Sequence, residues 1–206
     1  MYVPSSFAVE DIAEIEAFVR TYPFATLVTA IDTEPFATHL PLVVERGYDE
    51  SSGQARLLLK GHVARANPHW KSFGEGQSLA IFHGPHAYIS PSWYVKQPAV
   101  PTWNYTAVHF YGMPRVIEAP EQVSRLLDEM LAIFEVAECE PLSAEQRQAL
   151  EREIVAFEMV VERCQGKFKL NQNRSSTDRA AVVERLAGSS HAGDRDLGEF
   201  MRTRVV

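Results

Sequence analysis

The sequence predicts an α+β protein whose strands are mainly antiparallel, arranged as a barrel with helices around it. About seven segments are apolar and β-branched enough to form strands, and helical patterns interrupt them without strict strand–helix–strand alternation. The chain of 206 residues is long enough for one compact domain. We therefore expect a single domain over residues 1–206, with a helical insertion at about 120–154 and a helical tail at about 176–206.

The first third of the chain predicts one helix followed by three strands. Apolar residues at helical spacing indicate the helix, and β-branched apolar runs indicate the strands. Asp32 and Thr33 are expected to form a turn between the first two strands, and Pro41 predicts an irregularity in the second. The helix is expected at Asp11–Tyr22, and the strands at Phe24–Ala30, Phe36–Glu45 and Arg56–Lys60.

The middle third predicts a short helix, two strands and a rigid loop. Proline and glycine set its boundaries, because proline removes a backbone donor and glycine permits sharp changes of direction. The expected segments are a helix from Gly61 with a break near Asn67, a strand at Ser78–Phe82, a rigid loop at His83–Tyr105, and a strand at Thr106–Glu118 with a kink or bulge at Gly112 and Pro114.

The last third predicts mainly helices. Pro120 in a first turn and the capping-box pattern from Ser143 to Gln146 each mark the start of a helix. The expected segments are a helix from Pro120, a helix from Ser143 to Ile154, a strand at Ala156–Arg163 with an extension or turn at Cys164–Leu170, a helix at Ser176–Leu186 closed by Gly188, and a marginal helical segment at Asp196–Arg202.

Composition narrows the classes of function. The formal net charge of -7 disfavours broad, charge-driven binding to nucleic acid, which needs a local surplus of lysine and arginine. Cys139 and Cys164 have no metal-ligand spacing and are interpreted as reduced structural thiols. The first residues lack the basic start and apolar core of a signal peptide, and no apolar run is long enough to cross a bilayer. We therefore expect a soluble, cytoplasmic protein.

The segment His83–Tyr105 is the most unusual part of the chain. It contains two of the three tryptophans, Trp93 and Trp103, among tyrosines, histidines and prolines. Aromatic rings offer flat, stiff apolar surface with polar edges, and prolines make a backbone rigid. Two interpretations remain open: a platform for a planar ligand, or a rigid loop that covers a sheet edge.

Two basic segments are candidates for binding an anion. Lys60–Asn67 ends a strand and begins the predicted helix, and a helix N-terminus attracts phosphate through its unpaired N–H groups. Lys167–Arg174 concentrates five long polar donors in an acidic protein, which is typical of an anion clamp. For both segments the alternative is an ordinary solvated loop or helix start.

Other chemistry has weaker support in the sequence. The histidines are interpreted as hydrogen-bonding groups that line a ligand pocket, and no metal site is predicted, because neither an HExxH helix nor a cysteine–histidine ligand pair occurs. Neither a GxSxG motif nor a cysteine with a nearby histidine indicates a nucleophile. The histidines of this set are His39, His62, His83, His86 and His109.

Six segments together resemble the PaiB family of FMN-binding split-barrel proteins, which is named for negative transcriptional regulators of sporulation and protease genes. They follow the family's order across nearly the whole chain. Two departures are the shorter spacer between Tyr94 and Pro101, and Asn171 where the family commonly carries serine. The segments are PFATLVT at Pro23–Thr29, ATHLPL at Ala37–Leu42, GHVARANPHW at Gly61–Trp70, GPHAYISPSWY at Gly84–Tyr94, PTWNY at Pro101–Tyr105 and KFKLNQNR at Lys167–Arg174.

The resemblance implies a homodimer with FMN as the cofactor at the subunit interface. It assigns three groups of residues to the cofactor and no metal or catalytic residue. The phosphate group comprises Lys60, Gly61, His62, Arg65 and Asn67. The group for the phosphate or the edge of the ring comprises Lys169, Gln172, Asn173 and Arg174, and the group for ring stacking and polar contacts comprises Trp103, Asn104 and Tyr105.

Three functions follow from these observations. The first is a flavin-binding transcriptional regulator that acts indirectly, since the sequence shows no recognition helix and the charge is wrong for direct DNA binding. The second is an FMN-dependent oxidoreductase acting on a small molecule, in which the cofactor supplies the electron chemistry. The third is a binder of another planar ligand such as haem, with His86 or His109 as an axial ligand.

Overall fold

The computed structural model describes residues 1–31, 34–48, 55–134 and 142–205. The chain divides into two compact units. Unit 1 contains Met1–Phe18, His83–His109 and Gln165–Val206, and unit 2 contains Val19–Phe82 and Phe110–Cys164. The single domain expected from the sequence stays a prediction.

Most strands follow one another directly along the chain, and four of the five α-helices come after Val116. In order they are β1 (Ala8–Val9), α1 (Ile12–Thr21), β2 (Phe24–Ile31), β3 (Glu34–Pro41), β4 (Val43–Tyr48), β5 (Ala55–Ala64), β6 (Ser78–Ile89), β7 (Thr102–Gly112), β8 (Pro114–Val116), α2 (Pro120–Phe134), α3 (Ala144–Arg152), β9 (Ile154–Val160), β10 (Arg163–Lys169), α4 (Ser176–Ala187) and α5 (Ala192–Val205). Short 3-10 helices occur at Ser5–Phe7, Pro68–Ser72 and Pro91–Trp93.

Unit 2 is built on two sets of antiparallel strands. In one set, β2 pairs with β3 on one side and with the first half of β6 on the other. In the second set the strand order is β4-β5-β9-β8. Helix α2 covers one face of this second set, where Leu126 and Met130 pack against Val43 and Ala156. Burial of these apolar side chains is the main stabilising term for the helix.

Unit 1 contains β1, β10, β7 and the second half of β6, side by side in that order. Helices cover one face of these strands. Phe18 of α1, Phe168 of β10 and Phe200 of α5 form an aromatic cluster, with centroids 4.9 Å apart for Phe18–Phe168 and 5.4 Å apart for Phe168–Phe200. These contacts fix which side of the strands faces the helices and leave the opposite side for other contacts.

Two predicted strands are in fact broken, each into two strands of different sheets. The segment predicted as Phe36–Glu45 divides after Pro41 into β3 and β4, and the segment predicted as Thr106–Glu118 divides after Gly112 into β7 and β8. Proline lacks the backbone donor that would continue a ladder, so each division has a proline beside it. At Gly112 a Cβ atom would lie 2.1 Å from the carbonyl oxygen of Val160, so only glycine fits.

The predicted helix start at Gly61 is wrong. Strand β5 continues to Ala64, because Gly61 to Ala64 pair in register with Phe157 to Ile154 of β9. Glycine is needed at this position for close packing, because a Cβ atom there would lie 2.6 Å from Cδ2 of Leu42. No helix N-terminus is therefore available for phosphate at this point.

The rigid loop expected at His83–Tyr105 is also shorter than predicted. Strand β6 extends to Ile89 and β7 begins at Thr102, so the irregular part is Ser90–Pro101, hereafter the aromatic loop. The segment Asp196–Arg202, expected to be marginal, lies inside the 14-residue helix α5. The turn predicted at Asp32 and Thr33, and Cys139, lie outside the described residues.

The predicted helices elsewhere agree with the structure to within a few residues. In α3 both halves of the predicted capping box are present, since Ser143 Oγ accepts from Gln146 N and Gln146 Oε1 accepts from Ser143 N. Within the described part of the chain, no helix combines the length and the apolar character needed to span a membrane.

Candidate functional site

An exposed row of aromatic rings lies on the strands of unit 1, on β6 and β7. His86 and Tyr88 alternate with buried residues along β6, and Trp103 is exposed on β7. The Trp103 ring lies 6.4 Å from the His86 ring and 6.2 Å from the Tyr88 ring, between centroids. Trp103 is 54% exposed, although such a ring is usually mostly buried. This arrangement presents flat apolar surface to solvent.

Two lysines of β10 border the same row of rings. Lys169 Nζ donates to the carbonyl oxygen of Trp103 at 2.9 Å and to Thr102 Oγ1. Burial lowers the pKa of Lys169, the Tyr105 hydroxyl opposes this shift, and Lys167 adds to it. Lys167 Nζ lies 5.2 Å from the centroid of the Tyr105 ring and donates to the Tyr2 carbonyl. We call His86, Tyr88, Trp103, Tyr105, Lys167 and Lys169 the aromatic–lysine face.

Asn104 does not belong to this face. Strand alternation turns its side chain to the side opposite Trp103, where it is fully buried. Its Nδ2 donates to Sδ of Met201 at 3.5 Å, and its buried Oδ1 has no hydrogen-bond partner in the described structure. The assignment of Asn104 to the flavin stays a prediction, and its placement does not support a direct contact on the aromatic–lysine face.

The segment after β10 forms a tight turn. Gln172 Oε1 accepts from Leu170 N at 2.7 Å, and Gln172 Nε2 donates to the Phe168 carbonyl. Asn171 has a φ of 64°, in the left-handed region that asparagine tolerates better than serine does. This preference accounts for asparagine at the position where the resembling family carries serine.

Arg174 is likewise engaged within unit 1. Its guanidinium lies 4.4 Å above the centroid of the Tyr94 ring, a favourable cation–π geometry. The Tyr94 hydroxyl donates to Asn171 Oδ1 at 3.4 Å, and Asn173 is exposed. Of the four residues assigned to the phosphate or the ring edge, only Lys169, at the end of β10, contacts the row of rings. The FMN contacts of all four stay predictions.

Asp178 anchors the aromatic loop and was not found by sequence reasoning. Its Oδ1 accepts from Val95 N at 2.8 Å and from Lys96 N at 3.1 Å. Hydrogen bonds from the backbone of Lys96 lower the pKa of Asp178 most, and Ser175, Val95 and Arg174 lower it further. The signal was present in the sequence, because Asp178 lies in the first turn of a predicted helix, but nothing there names its partner.

The predicted phosphate group in unit 2 lies on strand β5 and just after it. Lys60 and His62 face helix α2, because their register partners Val43 and Ala156 pack against that helix. Lys60 forms an ion pair with Glu45. Burial lowers the pKa of His62, whose buried Nδ1 has no hydrogen-bond partner in the described structure.

Arg65 and Asn67 each hold neighbouring backbone in place. Arg65 donates through Nε to the Arg152 carbonyl at 2.5 Å and through Nη2 to the Ile154 carbonyl at 2.6 Å. Asn67 Oδ1 accepts from His69 N at 3.0 Å and caps the 3-10 helix that follows. Four residues of the predicted phosphate group, Lys60, Gly61, Arg65 and Asn67, thus have a structural role, and the assignment of all five to FMN stays a prediction.

A buried polar chain centred on His69 was missed by the sequence analysis. His69 is fully buried, with Nδ1 2.8 Å from Thr38 Oγ1 and Nε2 2.9 Å from Thr29 Oγ1. Thr29 continues the chain to Ser78, and Asn67 Nδ2 donates to Thr38. Burial lowers the pKa of His69, which favours the neutral ring. The residues come from distant parts of the sequence, so no local pattern marks them.

The described residues offer neither a metal-binding cluster nor a reactive thiol. They contain no cluster of three or more histidine, cysteine, aspartate or glutamate side chains that would hold a metal ion. Burial raises the pKa of Cys164 to about 11, so its thiol stays protonated at neutral pH and is a poor nucleophile.

The chain resembles known proteins in sequence over most or all of its length. A family model described as "Putative FMN-binding domain" matches residues 1–163. The chain is 37% identical to "Protease synthase and sporulation protein PAI 2" of Bacillus subtilis (strain 168) over 211 aligned residues, which cover 100% of this chain and 98% of the relative. It belongs to the PaiB family. The predicted family is thereby confirmed, and so is FMN as the cofactor that the family match names.

Solved structures agree with the PaiB assignment at the level of the fold. The flavocytochrome Anf3 from Azotobacter vinelandii superposes with a TM-score of 0.61 at 13% identity, over 79% of this chain and 69% of that chain. The FAD and Heme binding protein from Mycobacterium smegmatis gives a TM-score of 0.61 at 15% identity, over 84% and 79% of the two chains. The predicted fold class, α+β with mainly antiparallel strands of the flavin-binding split-barrel type, is confirmed.

The residues of the PaiB-family chain fit a flavin nucleotide. The aromatic–lysine face combines exposed rings suited to stacking on a planar system with two ammonium groups that attract phosphate. An isoalloxazine ring with a phosphate tail has both chemistries. When bound, FMN would supply electron-transfer chemistry that no side chain of the protein can provide.

Proposed function

We propose that the protein binds FMN on the aromatic–lysine face of unit 1 and acts as a flavin-dependent regulator without direct contact to DNA. The observation that carries this proposal is the exposure of Trp103 beside Tyr88, His86 and Lys169. A contiguous row of exposed rings, unlike a single exposed ring, typically marks a site for a ligand or a partner. The family match supports FMN as that ligand.

Trp103, Tyr88 and Lys169 are expected to contribute to FMN binding in different ways. The Trp103 indole offers a stacking surface, and Tyr88 meets it edge-on at 71°, which keeps the indole plane fixed. Lys169 donates to two oxygen acceptors, which fix the position of its ammonium and leave one N–H group for an anion. Orientation before binding lowers the entropy cost of association.

Titration of the purified protein with FMN tests the site. We expect Trp103→Leu to weaken FMN binding by about tenfold or more, since base–aromatic stacking contributes about 1–3 kcal/mol. Lys169→Met should weaken it by a similar factor through loss of a charge-assisted contact. Lys71→Met is the matched control, because Lys71 is an exposed lysine of unit 2. Unchanged affinity in both Trp103→Leu and Lys169→Met would refute the proposed site.

The regulatory part of the proposal rests on the name of the relative from Bacillus subtilis. The net charge of -7 argues against a DNA surface, so regulation would run through a small molecule or a partner protein. A gel-shift titration over increasing salt checks this. Sequence-specific binding that weakens steeply with salt would establish direct DNA contact and contradict the proposal.

A second candidate is an FMN-dependent oxidoreductase for a small molecule. It is favoured by the openness of the face, since Tyr88 is 46% exposed and a substrate can approach the rings from solvent. An assay of NADH or NADPH oxidation separates the oxidoreductase from the regulator. It compares the FMN-loaded protein with free FMN at the same concentration. Turnover above the free-cofactor rate that falls in Trp103→Leu would support the enzyme.

We further propose that the protein is a homodimer whose second copy packs beside Trp103 at one border of the aromatic–lysine face and completes the cofactor site. Exposed apolar surface in a monomer marks a contact site more often than an idle surface. The family resemblance supports the same arrangement.

A further inference from the structure

A groove in unit 2 plays no part in the function proposed above. It has a volume of about 520 Å³ and is lined by the segment after β5, by β8, α2 and α3, and by the start of β9. Sites for small organic molecules usually enclose about 300 to 1,000 Å³, so one such molecule fits.

Apolar side chains line the groove, and one of them is an aromatic ring with a fixed orientation. Val116, Val123 and Val155 line it together with Trp70. The indole Nε1 of Trp70 donates to the Arg65 carbonyl at 3.0 Å, which sets the orientation of the ring. A flat apolar ligand would therefore find a preformed surface.

The rim of the groove carries an excess of positive charge. Arg65 donates only to backbone carbonyls, which have no formal charge, and neither Arg65 nor Arg152 forms an ion pair within the described residues. Glu151 is already paired with Arg147, at 3.0 Å. The rim therefore has two guanidinium groups without an ion pair, those of Arg65 and Arg152, and one remaining carboxylate, that of Glu118.

We propose that this groove binds a small organic carboxylate with a flat apolar body, such as an aromatic acid. Its ring would lie against Trp70 and the valines, and its carboxylate would meet Arg152 at the rim, with the fixed guanidinium of Arg65 beside it. Arginine pairs with carboxylates in fork geometry, and an uncompensated guanidinium next to an apolar wall attracts such anions. The groove is lined by residues of unit 2, whereas the aromatic–lysine face is formed by residues of unit 1.

Calorimetric titration with two matched probes tests the proposal. 2-Naphthoate has the expected flat body and charge, and 2-naphthamide has the same shape without the charge. We expect 2-naphthoate to bind about tenfold more tightly, which corresponds to one charge-assisted contact. Equal binding of the two probes, or no binding of 2-naphthoate, would overturn the proposal.

Three variants assign the binding to the groove. Arg152→Gln should lower the affinity for 2-naphthoate to about that for 2-naphthamide, and Val116→Trp should abolish the binding of both by filling the groove. Arg185→Gln, at an exposed arginine of unit 1, is the matched control and should change neither affinity. Unaltered binding in Val116→Trp would place the probe elsewhere and contradict the groove.

The same samples distinguish this site from the cofactor site. FMN affinity should be the same in Arg152→Gln and in the parent, and saturating FMN should leave 2-naphthoate binding unchanged. Displacement of 2-naphthoate by FMN would show that the groove belongs to the flavin site and would refute a separate site. Failure of FMN to bind would bear only on the proposed function.

Discussion

At the scale of single residues, His69 shows how a buried polar side chain is held without a charge. Both ring nitrogens meet threonine hydroxyls, and hydroxyls can donate or accept, so either tautomer of the ring is satisfied. Phe36 and Phe73 surround the ring at centroid distances of 5.0 and 5.5 Å. Because the surroundings are apolar, loss of the ring leaves both hydroxyls without a partner and opens a cavity.

His69→Ala should therefore lower the free energy of unfolding by about 2–4 kcal/mol. Urea unfolding followed by circular dichroism measures this. His191→Ala is the control, since the His191 side chain is exposed. An effect of His69→Ala as small as that of His191→Ala would show that the buried chain contributes little to stability.

The burial of three histidines also predicts that the free energy of unfolding depends on pH. Burial lowers the pKa values of His62, His69 and His83 in the folded protein, and His86 adds to the effect on His83. The unfolded chain binds more protons than the folded protein between these lowered values and the ordinary pKa of about 6.5. The free energy of unfolding should thus fall as the pH drops below about 6.5 and recover above it.

Urea midpoints between pH 5 and pH 8 check this dependence. The slope should become shallower in His62→Gln, which removes one of the buried titrating rings, and should persist in His191→Ala. A midpoint that is flat or rises on acidification over this range would contradict the prediction.

At the scale of elements, the end of β7 depends on a glycine that no side chain can replace. Met159 and Val160 of β9 approach Gly112 so closely that a methyl group would contact backbone, which cannot move aside as a flexible side chain can. A substitution here therefore forces β7 and β9 apart.

Gly112→Ala should destabilise the protein by about 2–3 kcal/mol, the range for overpacked sites. Gly76→Ala is the matched control, because a Cβ atom at Gly76 meets nothing within 4 Å and its effect should stay within about 1 kcal/mol. Thermal unfolding of the two variants side by side provides the measurement, and equal melting temperatures would refute the assigned clash.

The aromatic loop offers a second test at this scale. The carboxylate of Asp178, in α4, accepts two backbone N–H groups of the loop, so Asp178→Ala should release the segment around Lys96. Trypsin should then cut after the exposed Lys96 severalfold faster than in the parent protein. Asp196→Ala, at an exposed position of α5, is the control. Equal cleavage rates would show that other contacts hold the loop.

At the scale of the whole molecule, the exposed rings of unit 1 predict self-association. We expect light scattering after size-exclusion chromatography to give the mass of two chains. Trp103→Glu should shift the mass toward that of one chain, because a charge buried at an apolar interface without a partner is costly. Arg185→Glu changes an exposed residue of α4, which is not part of the aromatic–lysine face, and should leave the mass unchanged. A parent protein with the mass of one chain would contradict the proposed dimer.

Much of this molecule could be predicted from local sequence patterns, and the failures have a common cause. The capping box at Ser143 and the helix at Pro120 depend on neighbours in sequence, and both are present. The extension of β5 through Gly61 depends on β9, which lies nearly a hundred residues later, so a glycine after a strand looked like a helix start. The same holds at the candidate sites. Local chemistry singled out the segments that contain Trp103 and Lys169, whereas the partners of Arg65, Asp178 and His69 are set by tertiary contacts.

The order in which the two units can fold during synthesis follows from how the chain is divided between them. Every residue of unit 2 has been made once Cys164 is reached, whereas unit 1 joins Met1–Phe18 and His83–His109 to Gln165–Val206. During translation unit 2 can begin to fold while unit 1 still lacks β10, most of which comes after Cys164, together with α4 and α5. The aromatic–lysine face therefore forms last, when Lys167 and Lys169 arrive. The proposed flavin binding and self-association therefore require a chain that has been synthesised at least as far as Lys169.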